Sequence, residues 1–231
     1  MDIECYYESD YAKNQFLVEC DKTVPDLRIT QNNDIERKKI LVIGVNTGSD
    51  VSFLTKKNEV FGIDIMSEAI NSARKKGINA IKHDAETGLP YKDEVFDIII
   101  CKHVLEHLFN PQGLMGEIKR VLKDDGRIFI SVPNHFYFKI RLRLLLGDNI
   151  IWPGHCGNEW DYFHIRFFTW TGFLQFIGIS GFKPCKFYWA SGHFASKFPK
   201  IFRIILSKLV QLKPNLLSPE FYAELKKEIV L

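Results

Sequence analysis

Two glycines and two aspartates are spaced in a way that suits the binding of a nucleotide. Gly44 and Gly48 lie in the segment ILVIGVNTG, and Asp64 lies 20 residues after Gly44. Glycines let a ligand approach free backbone N–H groups at the start of a helix, and a carboxylate accepts hydrogen bonds from both ribose hydroxyls. Asp84 follows a later apolar segment, where its carboxylate can accept from an adenine amino group. The glycine loop alone would also fit an ordinary strand–turn–helix connection.

A second motif, from His103 to His107, has the H-x-x-E-H spacing of a zinc hydrolase, with Glu106 as the glutamate. In those enzymes two histidines on one helix face bind zinc and the glutamate acts as the base. Here the motif directly follows an apolar strand and precedes Asn110-Pro111, so little room is left for a helix. No clear third ligand motif follows. We therefore expect no metal site.

Apolar runs and segments of helical spacing alternate along the central part of the chain. The predicted strands are 40–44, 59–65, 78–82, 95–101 and 127–132, with a sixth at 182–190. The predicted helices are 50–57, 67–76, 111–122 and 169–177. Ser67 is the expected N-cap of the second helix, and 124–126 is an expected tight turn. Alternation of this kind indicates crossover connections and a mainly parallel sheet.

The composition is that of an ordinary globular domain. The 231 residues are 46% apolar and 26% charged, and the net charge of +3 is too small to indicate a nucleic-acid partner. The five cysteines include no C-x-x-C pair, so neither a disulfide framework nor a cysteine zinc site is indicated. The first residues do not resemble a signal peptide, and no apolar run approaches the roughly 18 residues of a spanning helix. A cytoplasmic location is expected.

Several motifs together resemble one family. They are Asp84-Ala85 after the third strand, Phe96-Asp97 opening the fourth, VLEHL at 104–108, EIKRVLK at 117–123 and SVPN at 131–134. This pattern resembles the class I S-adenosylmethionine-dependent methyltransferases of the methyltransferase-11 type, over about residues 38–185. The resemblance implies a Rossmann-like, doubly wound α/β fold with a mainly parallel sheet of six or seven strands.

The resemblance also implies S-adenosylmethionine as cofactor and S-adenosylhomocysteine as product. The reaction would be an in-line displacement that moves a methyl group to a small-molecule or glycan- or lipid-linked acceptor. The implied cofactor-binding residues are Gly44, Asn46, Gly48, Asp64, Ile65, Asp84, Ala85, Lys102 and His103. A nicotinamide oxidoreductase is disfavoured, because the G-x-G-x-x-G spacing is absent.

Two positions depart from the family's glycine motif. Val42 stands where an acidic residue is usual, two positions before the first glycine, and Asn46 replaces the middle glycine. Loss of the acid removes a charge-assisted hydrogen bond worth about 1.5–3 kcal/mol, or roughly ten- to a hundredfold in affinity. A catalytically inactive binding protein with the methyltransferase fold is therefore the alternative function.

A hydroxyl acceptor needs a base, and histidine suits that role near neutral pH. The catalytic candidates are His107, His155 and His164. A surface or structural role is the alternative for each of the three. Arg166, in the family-like segment H-x-R-F-F-T, is expected either to bind an acidic acceptor or to pair with a local carboxylate.

We expect three segments in the chain. Residues 1–37 form an N-terminal helical or lid segment, 38–190 the methyltransferase domain with an acceptor-pocket insertion at 134–166, and 191–231 a basic, amphipathic C-terminal tail. The helix expected at 197–212 would contact an anionic membrane surface peripherally, or else pack on the domain or on a dimer partner. No nucleic-acid partner is expected, and the sequence does not indicate the oligomeric state.

Overall fold

The computed structural model describes residues 35–148, 164–188 and 208–228. Its strands are β1 (Lys39–Ile43), β2 (Glu59–Asp64), β3 (Asn79–Lys82), β4 (Phe96–Lys102), β5 (Leu122–Pro133), β6 (Phe182–Tyr188) and β7 (Glu220–Lys227). Its α-helices are α1 (Ser67–Lys75), α2 (Pro111–Val121), α3 (Phe138–Leu145), α4 (Trp170–Ile179) and α5 (Pro214–Leu217), with a further helical stretch at 208–212. Short 3₁₀ helices span Ser52–Lys56, Ala85–Thr87 and Leu105–His107.

The seven strands form one sheet in the order β3-β2-β1-β4-β5-β7-β6. Pairing is parallel among β1, β2, β3 and β4 and antiparallel between β6 and β7. This architecture confirms the expected Rossmann-like fold class with seven strands. Of the helices that the structure describes, none is long and apolar enough to cross a membrane.

The chain divides into two compact units. Of the described residues, the first unit comprises those up to Lys102 together with Asn110–Phe129, and the second comprises His103–Phe109 together with those from Ile130 onward. In the first unit β1 is central, because it pairs with β2 on one side and β4 on the other. Residues 40–43 are all buried, as expected for a strand of a parallel sheet covered on both faces.

The second unit is organised around the antiparallel β6–β7 pair. Phe221 of β7 packs on the rings of Trp170 and Phe173 of α4, with ring centroids 5.3 and 5.8 Å away. Asn134, the last residue of the SVPN motif, is fully buried and donates to the carbonyl oxygens of Asn215 and Ser218. The motif therefore anchors the segment that leads into β7.

The sequence did not predict β7. An amphipathic helical tail was expected over 191–231, but Glu220–Lys227 is a strand. The strand ends in AELKK, residues that favour a helix in isolation. In the sheet β7 lies between β5 and β6, and residues 221–225 are buried. The buried carboxylate of Glu224 accepts a hydrogen bond from the Tyr188 hydroxyl at 2.9 Å. Tertiary packing thus overrides the local helix preference.

Several other predicted boundaries differ from the structure. The predicted helix at 50–57 is the 3₁₀ helix Ser52–Lys56. The N-cap of α1 is Met66 rather than Ser67. The expected turn at 124–126 lies within β5, where a Cβ on Gly126 would lie 2.6 Å from Leu122 Cδ1, so the chain packs closely on itself there. The N-terminal segment 1–34 and most of the 197–212 helix lie outside the described residues.

Gly62 of β2 makes a close approach that a side chain would obstruct. A Cβ at this position would lie 2.9 Å from Cβ of Val45, which is buried beside it. Gly62 pairs with Val42 in the parallel ladder. A glycine is therefore required where the loop after β1 packs on β2.

We expect Gly62→Ala to lower the free energy of unfolding by about 1–3 kcal/mol, because the added methyl group overpacks this contact. Chemical denaturation monitored by circular dichroism measures the effect. Gly116→Ala is the matched control, since a Cβ on that exposed residue of α2 meets nothing within 4 Å. The control should be neutral or stabilising by up to about 1 kcal/mol. Equal stability of the two variants would contradict the packing account.

Candidate active site

The Asp64 carboxylate ties two segments of the first unit together at the carboxyl end of β2. Its Oδ2 accepts from the backbone N–H of Asn46 at 2.8 Å, and its Oδ1 accepts from the backbone N–H of Met66 at 3.0 Å. Burial raises the pKa of Asp64, and these backbone hydrogen bonds partly offset that rise. One side chain thus fixes both the glycine loop and the start of α1.

The loop after β1 has three residues of left-handed backbone conformation, Gly44 (φ 66°), Asn46 (φ 45°) and Gly48 (φ 71°). Asn tolerates this conformation better than most residues, which explains how Asn46 replaces a glycine. Gly44 is exposed between two buried neighbours, so its backbone is open to a ligand. Gly48 is buried instead, and a Cβ there would lie 2.5 Å from Ile78 Cδ1. Packing therefore requires glycine at position 48.

A carboxylate–ammonium pair lies at the end of β4. Lys102 Nζ is 2.6 Å from Asp50 Oδ2, and both side chains are partly buried. The sequence placed Lys102 at this sheet edge but did not single out Asp50, since nothing in its spacing marks it as Lys102's partner. The pair adds one negative and one positive group to the ligand-accessible end of the parallel strands.

Asp84 caps the 3₁₀ helix Ala85–Thr87, because its carboxylate accepts from the backbone N–H of Glu86 at 2.9 Å. Asp84, Ala85 and Ile65 are each partly exposed. Val42 is 4% exposed within β1, so the position that is acidic in the family here fills the interior of the sheet.

In the second unit, His103 lies between two carboxylates. Its Nδ1 is 3.3 Å from Glu106 Oε1, and its Nε2 is 3.1 Å from Glu220 Oε2. Loss of hydration lowers the pKa of His103, but the hydrogen bonds and negative charges of the two glutamates outweigh it and raise the pKa to about 9. His103 also has a left-handed backbone, with φ 52°. The side chain thus forms part of an ionic cluster with Glu106 and Glu220.

Two of the three predicted catalytic histidines come together in the second unit. The rings of His107 and His164 are 4.7 Å apart between centroids. His164 Nδ1 also forms a 2.9 Å hydrogen bond with Nε2 of His135, a buried residue that the sequence analysis did not single out. The third candidate, His155, lies outside the described residues.

The family-like H-x-R segment is held by hydrogen bonds from its own residues to the VLEHL segment. The Glu106 carbonyl oxygen accepts from the backbone N–H groups of Ile165 and Arg166 at 2.9 and 3.1 Å. The Arg166 guanidinium donates to the carbonyl oxygens of Leu108 and Phe109 at 3.3 and 2.6 Å. The partners of the Arg166 guanidinium are thus main-chain oxygens, which the sequence did not predict. Binding of an acidic acceptor by Arg166 stays a prediction.

The H-x-x-E-H motif does not form the helix that a zinc hydrolase needs. Residues Leu105–His107 form a single 3₁₀ turn, so His103 and His107 do not share one α-helical face. Instead, Glu106, His107 and His164 each place one potential ligand atom so that all three atoms lie within 4.8 Å of one another.

Comparison with known proteins identifies the central part of the chain. The family model described as a methyltransferase domain, of the methyltransferase-11 type, matches residues 41–130. Residues 41–130 therefore have the sequence pattern of a methyltransferase domain. The match begins within β1, includes β2, β3 and β4, and ends within β5. It therefore contains Asp64 with its hydrogen-bond partners and the Asp50–Lys102 pair.

The methyltransferase domain has relatives of similar sequence. An uncharacterised protein of Methanocaldococcus jannaschii is 36% identical over 126 residues, which cover 52% of this chain and 60% of that protein. The ubiquinone biosynthesis O-methyltransferase of Pasteurella multocida is 30% identical over 123 residues, which cover 45% of this chain and 50% of that protein. This chain therefore spans only about half to three-fifths of the length of these relatives. A solved S-adenosylmethionine-dependent methyltransferase of Methanosarcina mazei has the same fold, with a TM-score of 0.65 and 18% identity over 90% of this chain and 100% of that one.

We expect Arg166→Gln to lower the free energy of unfolding by about 0.5–1.5 kcal/mol, because the shorter amide cannot reach the two carbonyl oxygens that the exposed guanidinium binds. Urea denaturation followed by circular dichroism measures this change. Lys183→Gln, at an exposed position of β6, removes the same charge and should change stability by less than about 0.5 kcal/mol. A loss of stability in the control as large as in Arg166→Gln would assign the effect to charge alone.

Proposed function

We propose that this chain binds S-adenosylmethionine and transfers its methyl group to a small-molecule or glycan- or lipid-linked acceptor. The observation that carries the proposal is the match of residues 41–130 to the methyltransferase domain, combined with the charged groups at the strand ends of that domain. Relatives and structural neighbours with methyltransferase names support it.

The charged side chains at this edge of the sheet fit the polar parts of the cofactor. Asp64 accepts from the backbone N–H groups of Asn46, Met66 and Ile65, and a carboxylate has about four lone-pair sites, so one is left for a ribose hydroxyl. Asp50 carries the negative charge that a ligand ammonium group requires, and Lys102 carries the positive charge that a ligand carboxylate requires. We propose that this pair binds the amino-acid end of the cofactor, together with the backbone at Lys102.

Asp50 can supply the negative charge that is missing at Val42. In the family an acid two residues before the first glycine helps to neutralise the cofactor's ammonium group, and here that position is apolar and buried. Asp50 follows the same loop and supplies a carboxylate six residues after Gly44. At the other end of the ligand, Ile65 would flank the adenine, and Asp84 and Ala85 would contact its edge.

The chain's contribution to the reaction is mainly binding and orientation. Bound S-adenosylmethionine supplies a methyl group that is already activated on a sulfonium. The loop around Gly44 and the Asp64 carboxylate fix the position of the ligand, and proximity of two oriented reactants is worth roughly 7–11 kcal/mol of barrier. A hydroxyl acceptor must also lose a proton, and His107, His155 and His164 stay the predicted bases.

The acceptor class we favour is a hydroxyl compound. The Pasteurella multocida relative is named for O-methylation in ubiquinone biosynthesis, and it shares 30% identity over half of its length. Oxygen methylation is also the case in which a nearby base contributes most, since a neutral hydroxyl is a weak nucleophile.

A second candidate function is a methyltransferase-fold protein that binds a partner without catalysis. The observation that favours it is Val42, which removes a charged group from the glycine motif. A methyl-transfer assay with labelled S-adenosylmethionine and a panel of phenols and catechols separates the two. Label transfer supports the enzyme, whereas tight cofactor binding without transfer to any compound favours the second candidate.

We expect Asp50→Asn to weaken the binding of S-adenosylhomocysteine by roughly ten- to a hundredfold, because it removes one charge-assisted hydrogen bond of about 1.5–3 kcal/mol. Isothermal titration calorimetry on the full chain measures the affinity. Asp125→Asn, at an exposed position of β5, makes the same change of charge and should leave the affinity unchanged. Identical affinities of Asp50→Asn and the unsubstituted chain would refute the role assigned to the Asp50–Lys102 pair.

A further inference from the structure

We infer that Glu106, His107 and His164 form a binding site for a divalent transition-metal ion of the zinc type. Their potential ligand atoms, one carboxylate oxygen and two imidazole nitrogens, all lie within 4.8 Å of one another. This inference goes beyond the proposed methyl transfer and does not rest on it. All three residues belong to the second unit, whereas the cofactor-binding groups Asp50 and Asp64 belong to the first.

The position of Glu106 is the first independent observation. Its side chain is completely buried, and of its two carboxylate oxygens only Oε1 approaches His103, at 3.3 Å. Among the residues that the structure describes, no hydrogen-bond donor reaches Oε2. A buried carboxylate oxygen without a donor is costly, and a cation bound to it removes that cost.

The hydrogen bond between His164 and His135 is the second observation. His164 Nδ1 and His135 Nε2 are 2.9 Å apart, and both side chains are buried. Metal-bound histidines almost always donate their other ring N–H to a neighbouring acceptor, which fixes the tautomer and the ring orientation. In the metal-bound form we therefore assign Nε2 of His164 to the metal and its Nδ1–H to His135.

The backbone explains why two distant segments converge on this site. His164 lies 57 residues after His107, and the Glu106 carbonyl oxygen holds the backbone N–H groups of Ile165 and Arg166. The same residue that offers Oε2 to the metal thus positions the neighbouring histidine through its main chain. Ligands of a tetrahedral zinc ion lie about 3–3.5 Å apart, so the side chains need to close by about an ångström.

The ligand types select the class of metal. Two imidazoles and one carboxylate suit Zn²⁺ and similar transition metals, whereas Mg²⁺ and Ca²⁺ prefer oxygen ligands throughout. Three protein ligands leave a coordination position open for a water or a hydroxyl oxygen, and a zinc ion lowers the pKa of an oxygen ligand. In the loaded protein, His107 and His164 would be ligands rather than proton acceptors.

The test uses the full chain after removal of metals by a chelator. Zn²⁺ titration in the calorimeter should show one equivalent bound, and Co²⁺ should give the visible absorption of a tetrahedral or five-coordinate site with nitrogen and oxygen ligands. The variant carrying both His107→Asn and His164→Asn should bind Zn²⁺ at least a hundredfold more weakly. His135→Asn should weaken binding by roughly ten- to a hundredfold, as expected for a residue that orients a ligand.

His83→Asn in the first unit is the control and should bind Zn²⁺ as the unsubstituted chain does. Circular dichroism establishes that each variant is folded. Zn²⁺ binding that is equal in the unsubstituted chain and the double variant would overturn the inference, and so would a Co²⁺ spectrum of purely octahedral, water-like coordination. The cofactor proposal is tested separately, because S-adenosylhomocysteine titration of the metal-free chain reports on the first unit alone.

Discussion

The two hydrogen bonds accepted by Asp64 are the constraint on which the cofactor-binding end of the first unit depends. They join the left-handed loop at Asn46 to the start of α1 at Met66, across the carboxyl end of β2. Because one carboxylate bridges both segments, the loop conformation and the entry into the helix are fixed together. The groups proposed to bind the cofactor, including Lys102 paired with Asp50, belong to the same unit.

In the second unit Glu106 likewise connects separate segments, through its main-chain carbonyl group and through its side chain. Its carbonyl oxygen binds the backbone of Ile165 and Arg166, and its buried carboxylate borders His103 and the histidine cluster. The family-like VLEHL and H-x-R-F-F-T segments are therefore structurally one feature. This explains why Arg166 donates to main-chain oxygens, since it completes the attachment of one segment to the other.

The sequence predicted the parallel part of the sheet well, because buried apolar runs such as 40–43 and caps such as Asn110 are local signals. It did not predict β7, whose helix-favouring residues become a strand only through neighbours on both sides. Contacts between side chains that are distant in sequence could not be predicted either. Asp50 meets Lys102 across 52 residues, and no periodicity or spacing rule connects such positions. Resemblance to a family suggested roles for single residues, whereas the contacts between them came from the fold.

Hydrogen exchange of the full chain, measured by mass spectrometry with and without S-adenosylhomocysteine, tests the central claim most directly. If the adenosyl ligand binds at the Asp64 end of the first unit, peptides covering 44–50, 64–66 and 84–88 will exchange more slowly in its presence. The peptide covering α4 of the second unit serves as an internal reference and should exchange at the same rate. Ligand binding that leaves the exchange of 44–50 and 64–66 unchanged would contradict the account.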